Sequence, residues 1–215
     1  MQTDFVGPVT RFASLPDTPH VGHDESRRLL GDNPAEDAVS RVIAWAHAQP
    51  DSTLRVSHVR DWHDADDPLQ CGHLEHFGPH CLKNSPGAQF VFPLDGILPD
   101  KELTILNATG LSNFATSDID EVLAPHGGHA LRAGLMGVWT EAKITFLAYD
   151  LRSRYPRFQL AVCSALTASS SRENHFIAMG GSAAARSRDP LAGCDRVGAR
   201  GAANVTAPDN GTQPS

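Results

Sequence analysis

The chain has 215 residues, 40% hydrophobic and 20% charged, which suits one large α/β domain or two small ones and excludes a collagen, a coiled coil and a wholly disordered chain. Its 18 Lys and Arg face 25 Asp and Glu, a formal net charge of −7 with no basic cluster against it, so nucleic acid is not an expected partner. Apolar stretches such as 144–149 fall far short of the roughly 20 residues that cross a bilayer, and no basic-then-apolar leader opens the sequence, so a soluble cytoplasmic protein with no membrane partner is expected.

Residues 1–31 read as an ordered loop at best, because Pro8, Pro16 and Pro19 interrupt helix and no apolar run is long enough for a central strand. Asn33-Pro34-Ala35-Glu36 reads as an N-cap, a first-turn proline and an acid, and Val39, Val42, Ile43 and Ala46 then keep helical spacing, which predicts a helix over 34–48. Residues 53–59 alternate and are rich in β-branched residues, the pattern of a strand that delivers Arg60-Asp61-Trp62-His63 at its C-terminal end. Further strands are predicted over 103–106, 131–138 and 158–163. Short or buried helices are predicted from Ser117, over 140–154, and from Glu173 to Met179.

Strands alternating with helices imply a mainly parallel sheet covered on both faces, whose active site lies beyond the C-terminal strand ends. The domain is expected to span 1–179. Residues 180–215 contain no aromatic and few large aliphatics, so they are expected to form a disordered Gly/Ala/Arg-rich tail.

Chemistry concentrates in one segment: five of the eleven histidines (His58, His63, His73, His76, His80) fall within 58–80, together with Asp61 and Cys71, and Cys81 follows directly. Asp61 and His63 sit two apart at a predicted strand end, where alternate side chains project the same way and can chelate one ion. His80, after a Gly-Pro turn, is the natural third ligand, and an Asp/His/His set with open positions is the pattern of a catalytic divalent metal. Two other readings stand beside it. Asp61 caps a turn and the histidines are exposed in a loop, or Cys71, His73, His80 and Cys81 form a closed structural zinc site.

These residues resemble a known family. Arg60-Asp61-Trp62-His63, His76-Phe77-Gly78-Pro79-His80-Cys81 and Ser85-Pro86-Gly87-Ala88-Gln89-Phe90 are similar to the metal-binding stretch of nicotinamidases and the wider isochorismatase-like cysteine hydrolases. Met1-Gln2-Thr3-Asp4-Phe5 looks like the end of the family's first-strand motif. Leu111-Ser112-Asn113-Phe114 resembles its tyrosine-serine-x-phenylalanine segment, and 137–144 resembles the turn that carries its nucleophile.

The resemblance implies a three-layer α/β/α sandwich with a Rossmann-like, mainly parallel sheet whose first strand is truncated. It also implies a divalent metal, zinc or else manganese or iron, at Asp61, His63 and His80, and often a homo-oligomer. The family's cysteine attacks an amide carbonyl with an aspartate and a lysine as partners, and this triad does not carry over. The aspartate would precede Met1, Asn107 stands near the lysine position, and Lys143 stands where the cysteine is expected, either as an unusual nucleophile or as a surface or salt-bridged lysine.

Cys163, predicted to end a strand on the rim, is read as a displaced nucleophile or a buried thiol. Cys81 is read as site wall, and Asp4 as a substitute acid only at a stretch. The chain thus reads as a metal-containing hydrolase acting on a C–N amide bond of a small cyclic substrate, or as a catalytically silent member that binds a small molecule or a protein. Opening inside the first motif and ending in a tail unlike the family's last helix, it also looks like a late start and a frame shifted near Gly180. Without the first strand, the sheet is expected to have an unpaired central position.

Overall fold

Consecutive residues of the strands face opposite cores. Val59, Ala133, Leu135 and Leu160 pack against a cluster of Leu106, Phe114, Leu147, Leu151, Tyr155 and Phe158. Trp62, Met136, Val138 and Leu166 pack against a second cluster that includes Val6, Leu29, Val39, Ile43 and Phe92. Strands with apolar residues on both faces need helices over both, which gives the α/β/α layering expected of parallel strands. The computed structural model describes residues 1–183 apart from 13, 16, 17, 35, 93 and 95–102.

In chain order the elements are α1 (Thr3–Val6), α2 (His23–Leu30), α3 (Ala38–His47), β1 (Ser57–Asp61), α4 (Cys71–Phe77) and β2 (Thr104–Ala108). They continue with α5 (Asn113–Thr116), α6 (Ile119–Leu123), β3 (Arg132–Val138), α7 (Thr145–Arg154), β4 (Gln159–Ala168) and α8 (Arg172–Ala183). β1 pairs in parallel with β2, Asp61 opposite Ala108, and β3 pairs in parallel with β4, Arg132 opposite Gln159. Among the described residues these are two separate two-stranded sheets rather than one continuous sheet.

Several expectations are corrected. Residues 1–31 are not all loop: α1 is a single helical turn where a strand end was expected, and α2 buries Leu29 and Leu30. Pro8 and Pro19 lie outside both helices, and Gly22, at φ +88°, starts α2 from a conformation that favours glycine. α3 begins at Ala38, capped by Asp37, whose carboxylate accepts from the Ala38 N–H at 2.6 Å.

The predicted helix over 140–154 opens instead with a π-helical turn, Thr140–Ile144, in which the Ile144 N–H reaches the Trp139 carbonyl at 3.1 Å. β4 runs on to Ala168, past the expected end at 163, and its register against β3 shifts between Leu135 and Gly137. α8 crosses the expected boundary at 179/180, and the rest of the tail lies outside the described residues. No helix among the described residues is long and apolar enough to cross a membrane.

Candidate metal centre

Asp61 is the last residue of β1, and the chain leaves the strand without losing its register. The Trp62 N–H donates to the Ala108 carbonyl at 3.0 Å. One residue later His63 is zipped to the segment that carries His80: its N–H donates to the Cys81 carbonyl at 3.0 Å, and its carbonyl accepts from the Lys83 N–H at 2.8 Å. This parallel bridge brings two remote parts of the sequence together, so that Asp61, His63 and His80 are buried side by side.

Asp61 Oδ2 lies 3.8 Å from His63 Nε2 and 3.8 Å from His80 Nε2. That is too long for a hydrogen bond and suits two ligands of one ion, since groups about 2.1 Å from a tetrahedral zinc stand about 3.4 Å apart. The ring orientations are fixed from behind. His63 Nδ1 donates to Gln70 Oε1 at 3.1 Å, and His80 Nδ1 donates to the Gly78 carbonyl at 2.7 Å. With the proton held on Nδ1 by an acceptor, each ring turns the lone pair of Nε2 toward Asp61. His63 Nε2 is buried and has no partner.

The third imidazole is His73, on α4. Its ring stacks on His63 with centroids 4.8 Å apart, its Nε2 is also buried without a partner, and His63, His73 and His80 offer ligand atoms within 4.8 Å of one another. Burial, with His63 and His80 beside it, pushes the His73 imidazole down to about 4, so it is neutral at pH 7, as a ligand must be. Two orphaned imidazole nitrogens beside a third and a carboxylate fit a divalent ion. Among the described residues, no cysteine joins the group. Cys71 is exposed with its Sγ against the Asp67 carbonyl, and Cys81 Sγ faces the Gly87 carbonyl, so the closed Cys/His zinc arrangement does not form.

Lys143, in the π turn after β3, reaches the same centre. Its Nζ lies 2.6 Å from Asp61 Oδ1 and also donates to the Gly110 carbonyl. Asp61 thus divides its two oxygens between the ammonium and the histidines. Burial alone would raise its pKa, but His63, His80 and Lys143 outweigh that and hold the carboxyl well below the usual carboxylate range. The salt-bridged reading of Lys143 is the one observed.

The other two catalytic candidates are not brought there. Asn107 is opposite Arg60 in register, hence on the strand face away from Asp61, and its Oδ1 accepts from Arg60 Nε at 2.8 Å. Cys163 is a free, exposed thiol within β4 rather than at its end, so it is neither the expected buried thiol nor a strand-end group. Asp4 has a structural role, its carboxylate accepting from the Cys81 N–H at 2.7 Å. Cys81 is fully buried, and burial with Asp61 and Asp4 nearby pushes its thiol far up, away from thiolate chemistry.

The sequence reading missed His73 as a partner of Asp61, His63 and His80. The available signal was its place three residues into a seven-residue segment, Cys71 to Phe77, between the ligand pair and the Gly-Pro turn. The absence of apolar periodicity there hid the helix.

Comparison with solved structures places this geometry in a known fold. The pyrazinamidase/nicotinamidase of Streptococcus mutans superposes with a TM-score of 0.66 at 21% identity, covering 86% of this chain and 92% of that one. This is the isochorismatase-like α/β fold. An isochorismatase family protein from Desulfovibrio vulgaris shares it, with a TM-score of 0.61 at 21% identity, covering 93% of this chain and 95% of that one. So does the pyrazinamidase of Pyrococcus horikoshii, solved in complex with zinc, with a TM-score of 0.58 at 20% identity and coverage of 84% and 89%. No family model and no curated protein matches the sequence. Identities at this level carry the isochorismatase-like fold to this chain; its chemistry has to be argued from its own residues.

Proposed function

We propose that the chain is a metal-dependent hydrolase acting on the C–N amide bond of a small cyclic substrate, with one divalent ion held by Asp61, His63, His73 and His80. The observation that carries this reading is the pair of buried, unpartnered Nε2 atoms on His63 and His73, the first of them 3.8 Å from a carboxylate that is itself shared with Lys143. A nitrogen-rich set with one carboxylate suits zinc, and manganese or iron fit the same donors. The pyrazinamidase neighbour solved in complex with zinc supports the choice. The ion would supply Lewis acidity toward a carbonyl or a ring nitrogen.

The chain's own residues do the rest. Lys143 faces acceptors from Asp61, Gly110 and, at 3.5 Å, Asn113 Oδ1, so it acts as a hydrogen-bond donor to a substrate oxygen rather than as an amine nucleophile. Asp61, Lys143 and Asn113 all line the large cleft beside the centre, which gives a small molecule its way in. Hydrolysis then breaks the C–N bond, with water oxygen joining the carbonyl carbon and the departing nitrogen taking a proton.

A second reading has its own observation: Cys81, the cysteine beside the centre, is a deeply buried thiol whose pKa burial raises. That favours a site that binds a small cyclic ligand without turning it over. Ammonia release from nicotinamide and pyrazinamide by the zinc-, manganese- or iron-loaded protein separates the two. The hydrolase reading expects release that falls at least about 100-fold in Lys143→Ala, as for loss of one oxyanion donor, and that is unchanged in Cys163→Ala. Stoichiometric metal with no release from either amide would leave the silent binder.

A further inference from the structure

The three acceptors around the Lys143 ammonium are not equal. An ammonium carries three N–H donors and no lone pair, so three acceptors use all of them. Two are close and fixed. Asp61 Oδ1 lies 2.6 Å from Nζ, and the other close acceptor, the Gly110 carbonyl, belongs to the backbone. Asp61 is pinned from behind, its backbone N–H donating to Gln2 Oε1 at 2.8 Å and its carbonyl accepting from Gln2 Nε2 at 2.6 Å, while its second oxygen faces His63 and His80. The third acceptor, Asn113 Oδ1, stands 3.5 Å from Nζ, outside the roughly 2.7–3.2 Å of an ordinary N–H···O bond.

Asn113 opens α5, and its backbone is held on both sides. Ser112 Oγ donates to Asp150 Oδ2 at 2.9 Å, and the Asn113 carbonyl accepts from Ser117 Oγ at 2.7 Å. The side chain is the loosely held part, and because an ammonium only donates, it is Oδ1 that faces Lys143. Asn113 is buried, and it lines the cleft together with Asp61 and Lys143. A substrate oxygen that accepts from Lys143 therefore takes the place of Asn113 Oδ1, the weakest of the three partners. Oδ1 is then a buried acceptor without a donor, which is costly. A substrate amide brings a donor of its own, the N–H beside its carbonyl, and an ester brings none.

We propose that Asn113 is the exchangeable partner of Lys143 and selects substrates by their amide N–H. The substrate carbonyl oxygen takes the Lys143 N–H, and the substrate N–H donates to the Asn113 Oδ1 so released. The exchange makes and breaks hydrogen bonds only. It favours primary and secondary amides and disfavours esters and tertiary amides, which leave Oδ1 unpaired. This inference rests on the reading of Lys143 as a donor to a substrate oxygen and adds the residue that decides which carbonyl compounds that donor receives.

The test compares the dissociation constants of nicotinamide and of methyl nicotinate, the corresponding ester, on the zinc-loaded full chain, read by ligand-observed NMR so that turnover is not required. The unmodified chain is expected to bind the amide about tenfold or more tightly than the ester, and Asn113→Ala to bring the two constants within about twofold of each other. Asn113→Asp keeps the acceptor but sets a charge against the ammonium, and is expected to weaken both ligands at least about tenfold. An amide preference that persists in Asn113→Ala while Lys143→Ala weakens both ligands overturns the proposal and leaves the Lys143 reading standing, and so does equal binding of the two ligands by the unmodified chain. Unchanged binding of both ligands in Lys143→Ala, or no binding of nicotinamide by the zinc-loaded chain, overturns the Lys143 reading and the proposal together. Should Asn113→Ala fail to give a cooperative melt, Asn113→Leu, of nearly the same shape and without a polar atom, is held to the same ratio.

Discussion

At the scale of single residues, the proposed centre depends less on its candidate ligands than on what holds them. Gln70 accepts from His63 Nδ1 and from the Asp64 N–H at 3.2 Å, while its own Nε2 donates to Asp67 Oδ2 at 2.8 Å, so its amide cannot turn without losing all three contacts. That lock keeps the His63 proton on Nδ1 and its lone pair on the ion's side. Gln70→Ala is therefore expected to weaken zinc binding about 10- to 100-fold, measured by competition with a chromophoric chelator, without unfolding the chain. Asp61 and His63 were legible from their two-residue spacing, and His80 from the Gly-Pro turn before it. The links of Gln70 to His63 and of Lys143 to Asp61, which lie 7 and 82 positions apart, depend on tertiary placement that no local pattern carries.

At the scale of elements, the π turn and the long β4 are where local reading failed, and both have physical causes. Thr145 Oγ1 donates to the Thr140 carbonyl at 2.5 Å, within a turn whose backbone bonds already run one residue wide of an α-helix. The residues Thr167 to Ser169 look like loop but are fully buried, because Arg28 of α2 gathers the strand's carbonyls. Its guanidinium donates to Ala165 at 2.9 Å and Thr167 at 2.6 Å while pairing with the buried Glu25 at 2.7 Å. This fork fixes the irregular part of β4 against α2. Removing it leaves the buried Glu25 carboxylate with Arg172 alone, at 3.4 Å, so Arg28→Ala is expected to cost about 3 kcal/mol. In a thermal melt that is a loss of about 6–12 °C in Tm, and an unchanged Tm would show that the fork is dispensable.

At the scale of the whole molecule, the α/β layering was readable because both faces of the strands are apolar, and the resemblance through 60–90 pointed to the right fold. The separation of the described strands into two pairs is something period-two patterns alone do not reveal. The same cleft makes stability depend on pH. Burial, the Met1 amine and His47 together lower His58 from 6.5 to about 4, and burial lowers the Met1 amine from 8.0 to about 6. Both groups bind protons more readily unfolded than folded. Their contribution is therefore complete above about pH 8, and it is lost as pH falls, first through the amine's window of 8 to 6 and then through the imidazole's window of 6.5 to 4. Urea midpoints should fall steadily from pH 8 to pH 4.5, with the lower part of the slope reduced in His58→Gln. A flat profile would contradict the burial of these groups.

The central claim is that one carboxylate and three imidazoles converge on one divalent ion. Zinc titration of the chelator-treated protein, read by elemental analysis and by X-ray absorption at the zinc edge, tests it most directly. The account predicts one ion per chain with a shell of imidazole nitrogens and oxygen, lost in the His63→Ala, His73→Ala double variant. Sulfur in the shell, or an ion retained at full stoichiometry by that variant, would contradict it.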